Sequence, residues 1–466
     1  MKAVIIAAGE GSRMCNTLGS SSLPKPILPL LGIPIIERII RASKRAGIND
    51  FIVVTGYRGE KIKDYLGDGK RLGVKIRYAF NQQWPMGNAY SLLAARPFIE
   101  PEERFFLLMG DHIFEPALLH NFLKHVEERV GKSSLPEKSQ KLHFLAVETS
   151  FPKELDLDEA TKALITGENI TGLGKELKQF NGVDTGLFNF HYHIFDILTE
   201  NIENSNGSIS SALQPIISNN NLKAFQFKNL FWQDIDNRTD LEQAKRRLLK
   251  RLVPEKDGMV SRYFNRHLSL AITSHLSNFP ISPNAISVAS FFMCLGSAFL
   301  FALGQPVAAS LIAQLASVLD GVDGEIARVK FQESPFGAYF DSILDRYADA
   351  ALIGGIVAGS LLAETSSPLL ILLAGFFALT ASPFSMLSKE KYTNLTGKEY
   401  IPSELEGRFS YLPINRDGRI AIIMVGGLLN QLTLTLIVLA VLTNLQIIIR
   451  LIVVRKQLLC TNKNIK

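Results

Sequence analysis

The pattern of apolar and polar positions changes character near residue 281. Before it, short apolar runs alternate with polar stretches punctuated by glycine and proline; after it, apolar runs of membrane length dominate. Residues 2–8 (KAVIIAA) read as a buried strand leading into a glycine-rich turn. A helical pattern follows over 33–46, and strands are predicted over 50–55, 75–79 and 104–109. Alternating strands and helices predict an α/β domain with a parallel sheet. The first apolar run is too short for a secretory signal, so the soluble half is expected to stay in the cytoplasm. Six membrane spans are expected, near 285–303, 306–328, 337–362, 367–387, 417–430 and 432–454, the fifth being short.

Between the halves lies an amphipathic stretch. Leu241, Ala244, Leu248 and Leu252 share one helical stripe, and Val260, Phe264, Leu268, Ile272 and Leu276 recur every four residues. Lys245, Arg246, Arg247, Lys250, Arg251, Lys256, Arg262 and Arg266 surround them. Basic amphipathic helices lie on anionic membrane surfaces. For residues 239–252, packing on the soluble domain explains the stripe equally well. The domains are therefore expected at 1–238, 239–280 and 281–466.

Charge adds orientation. The turns at 304–305, 364–367 and 430–431 lack Lys and Arg, while Arg328, Lys330, Lys389, Lys391, Lys398, Arg408, Arg416, Arg419, Arg455 and Lys456 fall on the other side. The positive-inside rule then places the soluble domain and both termini in the cytoplasm. The net charge of +6 does not imply nucleic acid, since no base-reading module is present. Cys15, Cys294 and Cys460 have neither metal nor redox spacing, which argues against a disulfide framework.

The densest chemistry lies in residues 320–345, DGVDGEIARVKFQESPFGAYFDSILD. Asp320 and Asp323 share a helix face, as do Gly337, Asp341 and Asp345 on the next helix. A hairpin brings all four carboxylates together. At mid-membrane four such groups would cost on the order of 10 kcal/mol, less near helix ends. Divalent cations relieve the repulsion, and oxygen-only ligands favour Mg²⁺, Mn²⁺ or Ca²⁺ over zinc. Two such ions can clamp a pyrophosphate. Gly324 and Ala327 leave room for a ligand, and Arg328 can neutralise its phosphate.

The pattern Asp-x2-Asp-Gly-x2-Ala-Arg-x8-Gly-x3-Asp-x3-Asp resembles that of the CDP-alcohol phosphotransferases at every fixed position: Asp320, Asp323, Gly324, Ala327, Arg328, Gly337, Asp341 and Asp345. The resemblance implies an all-α domain of six transmembrane helices, commonly a homodimer. It also implies a site with two Mg²⁺ (or Mn²⁺) ions, where a second alcohol displaces CMP from a CDP-alcohol. Asp320, Asp323 and Asp341 would be metal ligands, and Asp345 the general base and a further ligand. Gly324 and Arg328 would contact CDP. Ser282-Pro283-Asn284 resembles the family's segment before the first span, which makes Asn284 a CDP contact; an ordinary helix start explains it as well.

The N-terminal motifs are more scattered. Gly9-Glu10-Gly11-Ser12-Arg13 can offer backbone N–H groups to a phosphate, yet Met14 stands where a dinucleotide-binding loop needs glycine, and no Walker sequence is present. Pro24-Lys25-Pro26 follows, then Trp84-Pro85-Met86-Gly87-Asn88, where Asn88 could cap a helix. Asp111 ends a strand at the edge where open α/β sheets bind ligands, unless it caps a helix. Gly182-Val183-Asp184-Thr185-Gly186 and Trp232-Gln233-Asp234-Ile235-Asp236 complete the set. Together, over about residues 1–249, these resemble the nucleoside-diphosphate-sugar pyrophosphorylases, with a Rossmann-like fold, and their cytidylyltransferase branch in particular. The resemblance implies CTP binding by Ala8, Gly9, Gly11, Arg13, Lys25, Gly87 and Asp111. Arg13 and Lys25 would stabilise charge on the α-phosphate. Asp184 would bind the alcohol phosphate, and Asp111 with Asp236 would hold one Mg²⁺.

The fusion of the two resembles the family of joined inositol-1-phosphate cytidylyltransferases and di-myo-inositol-phosphate-phosphate synthases. That implies synthesis of CDP-inositol from CTP and inositol 1-phosphate, then transfer of phosphoinositol to a second inositol 1-phosphate. Inositol enters through this resemblance alone. The alternative is a phospholipid synthase using a CDP-lipid donor, with a regulatory or docking N-terminal domain.

Overall fold

The first strand, β1 (Lys2–Ala7), is hydrogen-bonded in parallel to β2 (Asp50–Thr55) on one side and β4 (Arg104–Met109) on the other. Its apolar run is buried because both faces of a central parallel strand are covered. β3 (Lys75–Phe80) extends the parallel set beyond β2. The computed structural model describes residues 1–11, 14, 23–131, 142–151, 156–203, 206–254, 260–363, 366–407, 409 and 415–463. Two compact units emerge, Met1–Arg247 and Leu248–Lys466.

In the first unit the chain also forms β5 (His112–Phe114), β6 (His143–Glu148), β7 (Lys162–Thr166), β8 (Asn169–Gly174), β9 (Gly182–His191), β10 (Leu222–Phe227) and β11 (Trp232–Asp234). The nine-stranded sheet runs in the order β3-β2-β1-β4-β9-β6-β10-β8-β7. β9 is antiparallel to β4 and β6, so the parallel half gives way to a mixed half at β4. β5 and β11 pair separately and hold residues 111–114 against 232–235. Helices α1 (Ile35–Arg45), α2 (Asn88–Ala94) and α3 (Pro116–Gly131) pack on this Rossmann-like sheet. Its core joins Val4, Ile52, Phe105, Leu107, Leu145, Phe188 and Phe190 from the sheet with Ala89 and Leu92 of α2. The unit's boundary falls within α4 (Arg238–Arg251), whose first turn is closed reciprocally: Asp240 accepts from the N–H groups of Asp236 and Asn237, and Asn237 accepts from that of Asp240.

The second unit is helical. It comprises α5 (Arg266–Leu276), α6 (Pro283–Ala302), α7 (Pro306–Lys330), α8 (Pro335–Leu362), α9 (Pro368–Thr396), α10 (Arg416–Leu428) and α11 (Leu432–Lys463), besides short turns. The helices α6 to α9 each open on proline, which fits where no N–H is needed. Ser282 and Ser334 cap α6 and α8 by accepting from the N–H groups of Ala285 and Gly337. Among the described residues α6, α7, α9 and residues 432–458 are long and apolar enough to cross a membrane. α8 has the length, but Asp341, Asp345, Arg346 and Asp349 interrupt its apolarity; α10 has only 13 residues. Phe292, Phe299, Leu311, Leu372, Phe376 and Leu451 project outward, as a lipid-facing surface requires.

Two segments differ from expectation. α9 continues to Thr396, past the expected end of the fourth span at 387; its polar residues extend a helix already nucleated in the apolar run. α5 and the helical turn before it face their polar side inward: Ser261, Asn265, Ser269 and Thr273 are buried. Small polar side chains let α5 approach α7 closely, while Phe264 and Leu268 stay exposed and Ile272 and Leu276 pack beside Ile286, Val322 and Ile326.

Candidate functional site

Each unit carries an acidic site closed by a side-chain cation. In the first, Lys25 sits in a short turn behind Pro24 and is 6% exposed. Its Nζ donates to Asp111 Oδ2 at 2.8 Å and to Asp236 Oδ1 at 2.7 Å. Gly11 has φ +65°, and a Cβ there would fall 2.9 Å from that of Lys25, so the glycine loop makes room for the lysine stem. Burial opposes the ammonium charge, but Asp111, Asp234 and Asp236 outweigh it and raise the lysine pKa. Asp111 follows β4 and precedes a strand, so it caps no helix. Asp236 is fixed by the closed first turn of α4.

His112 belongs to the same cluster, although sequence reasoning passed it over. Its Nδ1 meets the carbonyl of Thr185 at 2.7 Å, and its Nε2 lies 3.3 Å from Asp234 and 3.7 Å from Asp111. Burial opposes protonation, yet Asp234 and then Asp111 push its pKa up to about 10. Asp184 lies on β9 beside a bulge and accepts from the Gly186 N–H at 2.7 Å. Burial pushes its carboxyl up to about 6, against that hydrogen bond and the charge of His112.

Asp111, His112, Asp184, Asp234 and Asp236 line a cavity of about 430 Å³, which Gly9, Trp84, Gly87 and Lys175 also border. Gly87 has φ +123°, and a side chain there would strike the carbonyl of Gly207. Asn88 does not cap its own helix; its Oδ1 accepts from the Ile209 N–H, tying two walls together. Ala8 is buried beneath the loop. Arg13 falls outside the described residues. Lys175 carried no sequence signal beyond its charge. His112 had one, its place next to Asp111.

In the second unit α7 and α8 bring the motif together. Carboxylate oxygens of Asp320, Asp341 and Asp345 lie within 4.8 Å of one another. Asp323 meets Asp341 at hydrogen-bonding range and accepts from Ser287 of α6. Asn284 Oδ1 lies 3.4 Å from where a Cβ of Gly337 would stand. Arg328 folds over Gly324 and donates to the carbonyl of Leu252 at 3.1 Å.

Three charged groups around this cluster were legible only as topology or not at all. Arg416 reaches Asp320 at 2.5 Å and Asp345 at 3.0 Å. Asp349, one turn beyond Asp345, takes Arg419 at 2.6 Å and Ser382 at 2.7 Å. Glu325, fully buried, accepts from Arg266, Ser269 and Thr273, each at 2.6 Å. A cavity of about 620 Å³ adjoins, with Arg346, Lys389, Arg416, Arg419 and Arg450 on its walls. Both clusters suit a divalent ion. The second offers carboxylate oxygens alone, the first a His112 nitrogen beside Asp111 and Asp234, and in each a side-chain cation already lies between carboxylates.

Two families match the chain: the MobA-like NTP transferase domain over residues 3–169 and the CDP-alcohol phosphatidyltransferase over residues 280–446. A curated relative from Rubrobacter xylanophilus, the "Bifunctional IPC transferase and DIPP synthase", is 31% identical, covering 97% of this chain and 96% of the relative. This chain belongs to the bifunctional IPC transferase and DIPP synthase family. A family member from Aquifex aeolicus is also 31% identical, over 98% of each chain. Among solved structures, the inositol-1-phosphate CTP transferase from T. maritima is 27% identical and covers 53% of this chain and 94% of its own, with a TM-score of 0.43. Membership makes the chain a bifunctional enzyme of the nucleotidyltransferase and CDP-alcohol phosphotransferase classes.

Proposed function

We propose that the first unit makes CDP-inositol from CTP and inositol 1-phosphate, and that the second transfers phosphoinositol to another inositol 1-phosphate. The observation that carries this reading is the presence of two acidic, cation-closed sites in one chain that aligns end to end with bifunctional relatives.

In the first reaction a phosphate oxygen of inositol 1-phosphate attacks the α-phosphorus of CTP. The bond to the β-phosphate breaks and pyrophosphate leaves. Lys25, with Arg13, stabilises the charge that develops on the α-phosphate. Gly9, Gly11 and Gly87 admit the nucleotide closely, and Asp184 orients the alcohol through a hydroxyl. Asp111 and Asp236 would hold one Mg²⁺, which neutralises the triphosphate when bound.

In the second reaction an acceptor hydroxyl gives its proton to Asp345, and its oxygen bonds to the β-phosphorus of CDP-inositol. The pyrophosphate bridge breaks and CMP leaves. Asp320, Asp323, Asp341 and Asp345 would hold two divalent ions, which polarise the bridge when bound. Gly324, Arg328 and Asn284 position the CDP moiety. The basic cavity beside the cluster takes the acceptor's phosphate. α8 and α10 complete six spans, with the soluble unit and both termini cytoplasmic, so CDP-inositol forms on the side where it is used. The membrane helices associate as a homodimer.

Phosphorus NMR of the purified protein with CTP, Mg²⁺ and inositol 1-phosphate tests this. Wild type should form a new phosphodiester while Asp345→Asn stops at CDP-inositol. Turnover of CDP-diacylglycerol with no CDP-inositol formed would replace the reading with a phospholipid synthase.

A further inference from the structure

Arg416 faces two ways. It opens α10, and its guanidinium reaches into the carboxylate cluster, with Nη1 2.5 Å from Asp320 Oδ2 and Nη2 3.0 Å from Asp345 Oδ1. It also lines the basic cavity of about 620 Å³. Its hold on the carboxylates is one of charge more than of directed bonds: Nε and Nη1 are buried, yet neither meets an acceptor in hydrogen-bonding geometry. A well-seated arginine forms paired, planar hydrogen bonds with a carboxylate.

The neighbours show which carboxylates depend on it. From α8, Asp349 keeps Arg419 at 2.6 Å, whereas Arg416 Nε is 3.6 Å away. Asp345 has Arg346 at 3.5 Å besides Arg416. From α5, Arg266 is committed to Glu325 of α7 at 2.6 Å. Arg416 is thus the close cation of both Asp320 and Asp345, and it stands where the oxygens of Asp320, Asp341 and Asp345 converge within 4.8 Å.

We propose that Arg416 is an exchangeable counter-ion: it neutralises Asp320 and Asp345 until a divalent ion enters, and the ion displaces it toward the adjoining basic cavity, where it adds a positive charge for a phosphate. The inference rests on reading the carboxylate cluster as a divalent-metal site. An ion seated between Asp320 Oδ2 and Asp345 Oδ1 takes the space the guanidinium fills, so metal entry there expels the guanidinium. Its short reach to the cavity wall then links metal loading to phosphate binding, and by linkage each strengthens the other.

Mn²⁺ binding to the full chain, followed by the EPR signal of free Mn²⁺, tests this without substrate. Asp111→Asn is included throughout to remove the soluble site. Adding Arg416→Gln should tighten Mn²⁺ binding about tenfold, because the competitor is gone. Arg416→Lys, which keeps the charge but spans fewer oxygens, should shift in the same direction by less, and it carries the test should the glutamine variant not fold. With Arg416 in place, Mn²⁺ should strengthen binding of inorganic phosphate; in Arg416→Gln that gain should vanish. Unchanged or weaker Mn²⁺ binding in both variants overturns the exchange and makes Arg416 a fixed structural partner. No Mn²⁺ bound with Arg416 present or absent overturns the metal-site reading itself.

Discussion

In the soluble unit Lys25 sits between Asp111 and Asp236 at 2.8 and 2.7 Å; in the membrane unit Arg416 reaches Asp320 at 2.5 Å and Asp345 at 3.0 Å. The arrangements match in charge and differ in fit. The compact ammonium of Lys25 donates two well-formed hydrogen bonds. The planar guanidinium of Arg416 has two buried nitrogens without one. The soluble site is settled by its lysine, whereas the membrane site is held together by a cation that fits it poorly. Metal should therefore matter more to the resting structure of the membrane unit than to that of the soluble one.

The largest expected effect is on chemistry. Asp345→Asn should slow the second reaction by about 10³-fold and let CDP-inositol accumulate, as loss of a general base does. Lys25→Ala should instead lower the first reaction by about 10²-fold, the scale of one electrostatic stabiliser. Phosphorus NMR with CTP, and again with CDP-inositol supplied, separates the two; a Lys25→Ala variant as slow with supplied CDP-inositol as with CTP would mean that the sites do not divide the work.

Next comes a prediction about architecture. Glu325→Ala removes the buried carboxylate that Arg266, Ser269 and Thr273 share and should destabilise the membrane unit by about 3 kcal/mol, read from thermal unfolding in detergent. Glu325→Leu, which fills the space, should still lack the carboxylate that faces Arg266 and recover little. A change within error would show that α5 does not depend on this pair.

The smallest effect concerns pH. Burial raises the Asp184 carboxyl to about 6 from its ordinary value of 3.8. A raised acid costs folding free energy once ionised: nothing below its unfolded value, increasing through the window 3.8 to 6, and constant above it. Asp184→Asn should thus raise the unfolding midpoint at pH 8 and leave it nearly unchanged at pH 4, with a gain of about 3 kcal/mol at most. The same variant should raise the KM for the alcohol phosphate. A gain equal at both pH values would contradict the assignment.

The two sites were also unequally legible. Asp320, Asp323, Asp341 and Asp345 are spaced by helix turns within two neighbouring helices, so the spacing itself places them together. Lys25, Asp111 and Asp236 come from a turn, a strand end and a helix start, and only the sheet order joins them. A family resemblance named them; periodicity could not. Arg416 read as one more cytoplasmic charge, since its partners lie on helices far along the chain. Glu325 was hidden differently. It sits inside the motif, but its three donors belong to α5, whose apolar stripe drew attention away from the polar face that packs inward. Sequence periodicity finds apolar faces, and in a membrane protein the tightly packed face is often made of small polar residues.

The central claim is that the two sites act in sequence through one intermediate. It is tested most directly by supplying that intermediate to full-length Asp111→Asn and Asp345→Asn, each with Mg²⁺ and inositol 1-phosphate. Asp111→Asn should fail with CTP but form the phosphodiester when given CDP-inositol, while Asp345→Asn should fail with either. If CDP-inositol does not restore Asp111→Asn, or if Asp345→Asn uses it, the relay from soluble unit to membrane unit is contradicted.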